Sequence, residues 1–319
     1  MSQPLPLADL FQALADPTRL RILALLRTME LSVGELAQVL AQSQPRVSRH
    51  IKILTDAGLV ERRKEGSWVF LTLGRAELAT ALFALTDVAE EDSSKRVFAA
   101  DSARLSAVRQ DRTEAAARYF AAHAGVWDEI RSLQVAESEV EAAISRALGG
   151  DPLGRLVDIG TGTGRMIELF GRRSTDAVGI DKSSEMLRVA RVKLEAADVR
   201  ASLRQGDMYA LPLEDGSADV VLLHQVLHYA HNPAAAITEA ARLLVPGGRL
   251  LIVDFALHER EELRLRDAHA RLGFADEAVV GWLEAAGLSG SVVEHLVGGE
   301  LTVTLWAGDK QALRARRAA

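Results

Sequence analysis

Apolar positions recur along this chain in two rhythms. Helical spacing fills the first half, and strands alternate with helices over the second. Asp16-Pro17 opens the first clear helix, an aspartate N-cap before a proline at the first helical position, and Leu20, Leu23 and Leu26 follow at helical spacing. Ser32-Val33-Gly34-Glu35 has the form of a capping box and starts a second helix that turns Leu36 and Leu40 inward. A third helix is predicted from about Ser43 to Ala57, ended by Gly58. Its Val47, Ile51 and Leu54 face a core, while Gln44, Arg46, Ser48, Arg49 and Lys52 lie on other faces. Two strand-like pieces, Leu59–Arg63 and Ser67–Leu73, flank Lys64-Glu65-Gly66. Ala76–Glu90 reads as a helix with Leu78, Leu82 and Leu85 on one side. Glu90-Glu91-Asp92-Ser93-Ser94 then breaks the pattern, and Val97 to Leu148 is alanine-rich and largely helical.

The second half is built differently. Leu156–Gly164 reads L-V-D-I-G-T-G-T-G, a short apolar run carrying one acid and ending in three glycines at alternate positions. This is the form of a buried parallel strand that stops at a tight turn before a helix, here Arg165–Phe170. The glycines let the backbone approach a ligand closely, and the helix start offers unpaired N–H groups. A second strand, Ala177–Ile180, ends at Asp181, 23 positions after Asp158, where an acid is suited to both hydroxyls of a ribose. Val199–Gln205 is a third strand, ending at Gly206-Asp207, and Ala218–Leu223 a fourth. After the helix Pro233–Leu244 comes L-V-P-G-G-R-L-L-I-V-D, Leu244–Asp254. Glu259–Leu272 and Glu277–Ala286 read as helices, Ser291–Val297 and Leu301–Trp306 as a final strand pair, and Lys310–Arg317 as a basic tail. A glycine turn of this kind alone serves NAD, FAD and S-adenosylmethionine equally.

Composition narrows the setting. With 319 residues, 48% hydrophobic and 26% charged, the chain has length and core for two globular domains. It has no cysteine, which excludes disulfides and cysteine-based metal sites or nucleophiles. No basic-then-apolar leader pattern opens it and no apolar run approaches membrane-spanning length, so a cytoplasmic protein without membrane contact is expected. The net charge of −6 is unevenly spread: up to Arg75 there are ten Lys or Arg against seven Asp or Glu. A basic head on an acidic body suggests a polyanion partner for the head.

The run from Leu153 to Asp254 resembles the class I S-adenosylmethionine-dependent methyltransferases. In that family the acid matching Asp158 lies near the methionine amino group, the one matching Asp181 holds the ribose, and the one matching Asp207 meets the adenine amine. The turn Pro246-Gly247-Gly248 fits the approach to strand five. A dehydrogenase-type dinucleotide domain leaves Asp207 and the L-V-P-G-G-R segment unexplained. The resemblance implies a cofactor surface of Asp158, Gly160, Thr161, Gly162, Gly164, Asp181, Lys182, Asp207, Met208 and His224. It also implies a helical cover over Ala117–Leu133, from which Tyr119, Phe120 and Trp127 are the candidates to close over the ligand, Tyr119 first.

Helix, helix, polar-faced helix and basic hairpin is the layout of a winged helix-turn-helix. Its wording, L-A-D-P-T-R-L-R-I-L and Q-P-R-V-S-R-H-I-K-I-L-T-D-A-G-L-V, resembles the ArsR/SmtB family of dimeric bacterial repressors over about Leu7 to Leu73. Carried over, Gln44, Arg46, Ser48, Arg49 and His50 are candidates for contacts to DNA, with Arg62, Arg63 and Lys64 at phosphates. The helix over Ala76–Glu90 matches the family's dimer contact. Where many members carry a metal-sensing E-L-C-V, this chain has Glu30-Leu31-Ser32-Val33, and residues 76–91 hold no histidine, so metal sensing by either known route is not expected.

Methyl transfer from a sulfonium needs in-line positioning first, and a base only when the acceptor must lose a proton. His224, His228, Tyr229 and His231 follow strand four, and the resemblance ranks His228 first, with His258 and His269 behind it. The H-x-x-x-H-x-x-H spacing is not joined by a carboxylate that would complete a metal site. The expectation is an α/β protein in three parts: an α+β winged helix-turn-helix at 1–75, a helical connector and dimer contact at 76–112, and a Rossmann-like class I methyltransferase domain at 113–319. Functionally it reads as a homodimeric regulator on an inverted-repeat, double-stranded operator, tuned by S-adenosylmethionine or S-adenosylhomocysteine. The alternative is an active small-molecule methyltransferase with an autoregulatory DNA-binding head.

Overall fold

Helices in the first half start where the sequence caps them. In the computed structural model of the chain, Asp16 Oδ1 accepts from the N–H groups of Thr18 and Arg19 at 2.8 and 3.1 Å, and helix α2 (Pro17–Thr28) begins there, behind the shorter α1 (Leu7–Leu14). Ser32 and Glu35 close the expected capping box: Ser32 Oγ accepts from the Glu35 N–H at 3.3 Å, and Glu35 Oε2 from the Ser32 N–H at 2.8 Å. Strand β1 (Leu31–Ser32) thus passes straight into α3 (Val33–Leu40). Ala41, left-handed at φ 53, turns the chain into α4 (Gln44–Asp56). The hairpin β2 (Val60–Glu65) and β3 (Trp68–Leu73) completes a three-stranded sheet in the order β1-β3-β2.

The structure describes residues 7–28, 31–65, 68–74, 78, 81–84, 97–108, 110, 122, 137–297 and 300–312. Most of the expected helix Ala76–Glu90, and the expected cover Ala117–Leu133 with Tyr119, Phe120 and Trp127, lie outside these residues. The chain divides into two units, Met1–Ala115 and Ala116–Ala319. The core of the first joins Ile22, Leu36, Val47, Ile51, Leu54 and Leu71, each fully buried and each contributing about 1.5–3 kcal/mol. Leu105 and Val108, from helical residues 97–108, belong to that same core.

The second unit is a seven-stranded sheet in the order β6-β5-β4-β7-β8-β10-β9. Strands β4 (Gly154–Ile159), β5 (Ser174–Asp181), β6 (Ser202–Gln205), β7 (Ala218–His224) and β8 (Leu244–Phe255) run parallel. Strand β10 (Val303–Lys310) lies antiparallel between β8 and β9 (Leu288–Leu296). Helices α5 (Glu137–Leu148), α6 (Arg165–Phe170), α7 (Ser184–Ala196), α8 (Pro233–Leu243), α9 (Glu262–Arg266) and α10 (Asp276–Ala285) accompany it. The chain runs outward from β4 through β5 to β6 and then crosses back to β7 on the other side of β4, so the C-terminal end of β4 is the switch point where ligands of such sheets bind.

Four elements depart from the sequence expectation. Strand β6 starts at Ser202 rather than Val199, because the Val199 N–H closes α7 on Leu194 O at 2.9 Å and Asp198 is left-handed at φ 52. The helix expected over Glu259–Leu272 stops at Arg266. Ala268 turns left-handed at φ 56, and the N–H groups of Ala270 and Arg271 go to His228 O at 3.1 and 2.9 Å instead of to a helical turn. The last strands are also longer than expected, from Leu288 and out to Lys310.

Candidate functional site

The glycine turn between β4 and α6 is a close-packed floor. Gly160, Gly162 and Gly164 have φ of 72°, 53° and 83°, which side chains other than glycine rarely tolerate. Its N–H groups are largely used within the fold: Gly160 and Thr161 donate to Ile180 O at 2.7 and 3.0 Å, Gly164 to Thr161 O at 2.8 Å, and Gly162 to Asp181 Oδ2 at 2.8 Å. Four N–H groups of the turn are therefore already used within the fold. Thr161 Oγ1 is buried and has no hydrogen-bond partner among the described residues, a polar group that a ligand's amine or hydroxyl would satisfy. The unpartnered Thr161 hydroxyl fits a polar group of S-adenosylmethionine.

Asp181 ends β5 with one oxygen on the Gly162 N–H and the other on the Ser183 N–H, both at 2.8 Å. Burial pushes its carboxyl above the ordinary value, while the N–H groups of Ser183, Gly162 and Lys182 pull it back. Each oxygen keeps a lone pair for a ribose hydroxyl. Asp207, after β6, is held by Lys182 Nζ at 2.8 Å and the Tyr209 N–H at 3.1 Å, so it meets any adenine amine already neutralised. Asp158 is fully buried near the end of β4 and His224 is buried at the end of β7. Met208 packs on the main core.

His228 lies in the 3-10 turn Leu227–Tyr229 that follows β7. Its Nδ1 is 2.7 Å from Asp254 Oδ1, and its own N–H donates to Asp254 Oδ2 at 3.1 Å. No carboxylate was expected beside this histidine from its sequence neighbours; Asp254, the buried acid near the end of β8, supplies one. Its signal was an acid closing an apolar strand, L-L-I-V-D, where nothing apolar requires it. The His269 ring stands 4.2 Å from that of His228 and is stacked 5.7 Å from Phe255. Burial, with the Arg260 guanidinium behind it, pushes His258 down to about 4, and burial holds His269 far below the ordinary imidazole value. Among the described residues no group of three or more His, Cys, Asp or Glu is arranged to hold a metal ion.

In the first unit, α3 and α4 form the helix-turn-helix and β2–β3 its wing. Val47, Ile51 and Leu54 are buried, leaving Gln44, Arg46, Ser48 and Arg49 exposed on α4 and Arg62 exposed on β2. The side chains of Arg63 and Lys64 lie outside the described part of the structure. His50 differs from its neighbours: its ring is turned back, with Nδ1 3.7 Å from Asp16 Oδ1, and only 14% of the side chain is exposed.

Comparison with known proteins agrees with both units. Residues 16–62 match the family described as bacterial regulatory protein, arsR family, and residues 157–252 match the methyltransferase domain family. An uncharacterised methyltransferase of Mycobacterium tuberculosis is 41% identical over 99 residues, which is 31% of this chain and 39% of that protein. A malonyl-(acyl-carrier protein) O-methyltransferase of Methylococcus capsulatus is 34% identical over 148 residues, 46% of this chain and 53% of its own length. The chain thus spans about half or less of these curated relatives. The crystal structure of the YcgJ protein from Bacillus subtilis covers 55% of the chain and all of its own, at 20% identity and a TM-score of 0.49. Residues 16–62 are an arsR-family helix-turn-helix segment and residues 157–252 a methyltransferase domain, carried on one chain.

Proposed function

We propose that this chain is a cytoplasmic, homodimeric transcription regulator whose methyltransferase domain binds S-adenosylmethionine or S-adenosylhomocysteine and thereby tunes its hold on an inverted-repeat operator. The observation that carries the cofactor half is the Asp181 carboxylate, bonded to the Gly162 N–H at the switch point of the sheet. It ties the glycine turn to the acid suited to a ribose. The DNA half is supported by the four exposed polar side chains of α4, on a helix otherwise anchored by Val47, Ile51 and Leu54.

A second reading, a small-molecule methyltransferase whose head controls its own gene, is favoured by the His228–Asp254 pair, since a pure sensor needs no base. Here the bound cofactor supplies an electrophilic methyl group. Asp181 and Asp207 orient the nucleoside, and His228 holds the acceptor's proton.

Gel-shift titration at fixed salt separates the two. A coupling of about 1–3 kcal/mol corresponds to roughly 5- to 150-fold in operator affinity. By linkage, whichever ligand tightens DNA binding must itself bind more tightly, by the same factor, when operator is present. Operator affinity unchanged within about twofold by either ligand overturns the sensor reading and leaves the enzyme reading in its place.

A further inference from the structure

We propose that the outer face of α7 is a second DNA surface, which holds phosphates of the duplex flanking the operator while the helix-turn-helix holds the operator itself. This rests on the regulator reading above and adds to it a contact made by the methyltransferase unit.

Charge singles out the surface. Residues 172–204 carry eight Lys or Arg against five Asp or Glu, whereas the rest of the chain after Arg75 carries twenty against thirty-two. The arginines also differ in their partners. Elsewhere in the second unit Arg155 is matched by Asp219, Arg165 by Glu141 and Arg249 by Asp309, at 2.7–3.0 Å. Arg188, Arg191 and Arg200 are exposed and have no hydrogen bond or ion pair among the described residues. The acids of the stretch leave them unmatched. Glu185, a turn before Arg188, accepts from the Ser183 hydroxyl at 3.2 Å, and Asp181 is held by the Gly162 N–H. Glu195, four positions after Arg191, is exposed and forms no ion pair with it.

The fold gathers these cations. Met186, Leu187, Ala190 and Leu194 form the buried side of α7, which leaves Arg188, Arg191 and Val192 on its solvent side, three and four positions apart. Arg200 follows the end of the helix, where the Val199 N–H closes on Leu194 O at 2.9 Å. Arg172 joins that end, with Nη2 on Ala197 O at 2.6 Å. From Arg188 to Ala197 the helix rises about 14 Å, about four base-pair steps of a duplex.

Duplex DNA fits this face better than a protein does. Val192, 66% exposed, is the one large apolar side chain that α7 exposes, and a stable protein interface needs a wider apolar centre. Guanidiniums with free donors match phosphate oxygens, which carry no sequence information and so suit a flank of any sequence. Such a surface alone binds weakly, with Kd of about 10⁻⁴–10⁻⁶ M. On the same chain as an arsR-family head, it meets the flanking duplex as an intramolecular event.

The test uses the full chain and the duplex it selects from a random pool. That duplex is prepared as the core site alone and with two turns, about 20 base pairs, of unrelated sequence on each side. If the native chain selects no duplex, the DNA reading fails, a result distinct from failure of the second surface. The flanked duplex should bind about tenfold more tightly than the core at low salt, with a salt slope steeper by about three units per chain bound. The triple variant Arg188→Gln, Arg191→Gln, Arg200→Gln should lose both gains and bind the core as the native chain does. Equal native affinity for the two duplexes, or a triple variant that keeps the gain, overturns the second surface and returns the face to solvent or to an acidic protein. Because the chain has no cysteine, a photo-crosslinker on Val192→Cys reads position directly. It should capture flanking DNA, while the same group on Leu257→Cys, 54% exposed after β8, should not. Capture from neither position, or from both equally, also overturns the proposal.

Discussion

Arg21 holds Asp101 through two parallel hydrogen bonds, Nε to Oδ2 at 2.6 Å and Nη2 to Oδ1 at 2.7 Å, across 80 positions of sequence. Only 2% of the Asp101 side chain is exposed, and Arg21 also reaches Leu40 O at 3.4 Å, where α3 ends. The pair therefore ties residues 97–108 to the helices that present α4. Asp101→Ala removes both charge-assisted bonds and leaves Arg21, 17% exposed, with its carbonyl contact alone, so it should cost about 1.5–3 kcal/mol. Arg104, whose side chain is 47% exposed and 3.1 Å from the same carboxylate, should matter by less than about 1 kcal/mol when truncated. Calorimetry of the full chain should show the transition of the first unit move in the first variant and stay in the second.

Gly160→Ala is expected to be the most damaging single change in the glycine turn. The added Cβ meets Val226 Cγ2 at 2.3 Å, and the backbone there is left-handed at φ 72. Strain and overpacking together should destabilise the second unit by about 2–4 kcal/mol. Chemical denaturation followed by far-ultraviolet circular dichroism measures it.

Much of this was legible because it is local. The caps at Asp16 and Ser32, the α4 stripe of Val47, Ile51 and Leu54, and the order of strands with their terminal acids all follow from spacing within one element. Failures cluster where distant contacts override local preference. Residues 259–272 carry a helical pattern, yet Ala270 and Arg271 spend their N–H groups on His228 O, more than 40 positions upstream. Asp254 and His228 meet only through the adjacency of β7 and β8, and Asp101 finds Arg21 only in the folded first unit. His50 looked like its neighbours on α4, but its face of the helix meets Asp16.

Asp181→Ala should weaken S-adenosylhomocysteine binding by more than about 1 kcal/mol, roughly fivefold or greater, because a carboxylate takes charge-assisted bonds from a ribose. It also frees the Gly162 N–H held at 2.8 Å, so the loop itself should loosen. Asp181→Asn keeps the shape and loses the charge, and should fall between the two. Calorimetry with all three proteins orders them, and equal affinities would remove Asp181 from the site.

Acid should destabilise the second unit before most carboxylates titrate. His258 is lowered from 6.5 to about 4, so across that interval the unfolded chain takes a proton that the folded chain refuses. Its contribution is therefore complete above about pH 6.5 and is lost as pH falls toward 4, with a loss of about 1–3 kcal/mol. His269, lowered in the same direction, deepens the slope. Unfolding free energies measured over this range should fall with pH in the native chain, and His258→Gln should flatten the curve.

On DNA, the exposed arginines should divide by what they touch. Arg62 sits on the wing strand, where neighbouring phosphates are the expected contacts, and Arg46 and Arg49 project from α4, the helix that enters the major groove in this layout. A phosphate contact carries no sequence information, so Arg62→Ala should weaken binding to all sequences alike and reduce the salt slope by about one unit. A contact to a base edge is worth about 1–3 kcal/mol of discrimination, so Arg46→Ala or Arg49→Ala should relax preference at particular base pairs of the operator. His50 should behave as neither. With its ring turned toward Asp16, His50→Ala should lower the stability of the first unit and leave the preferred sequence unchanged. Selection from a random pool with each variant, followed by affinity measurements at several salt concentrations, tests all four. A uniform loss from Arg46→Ala and Arg49→Ala would reassign α4 to the backbone and leave base reading to other residues.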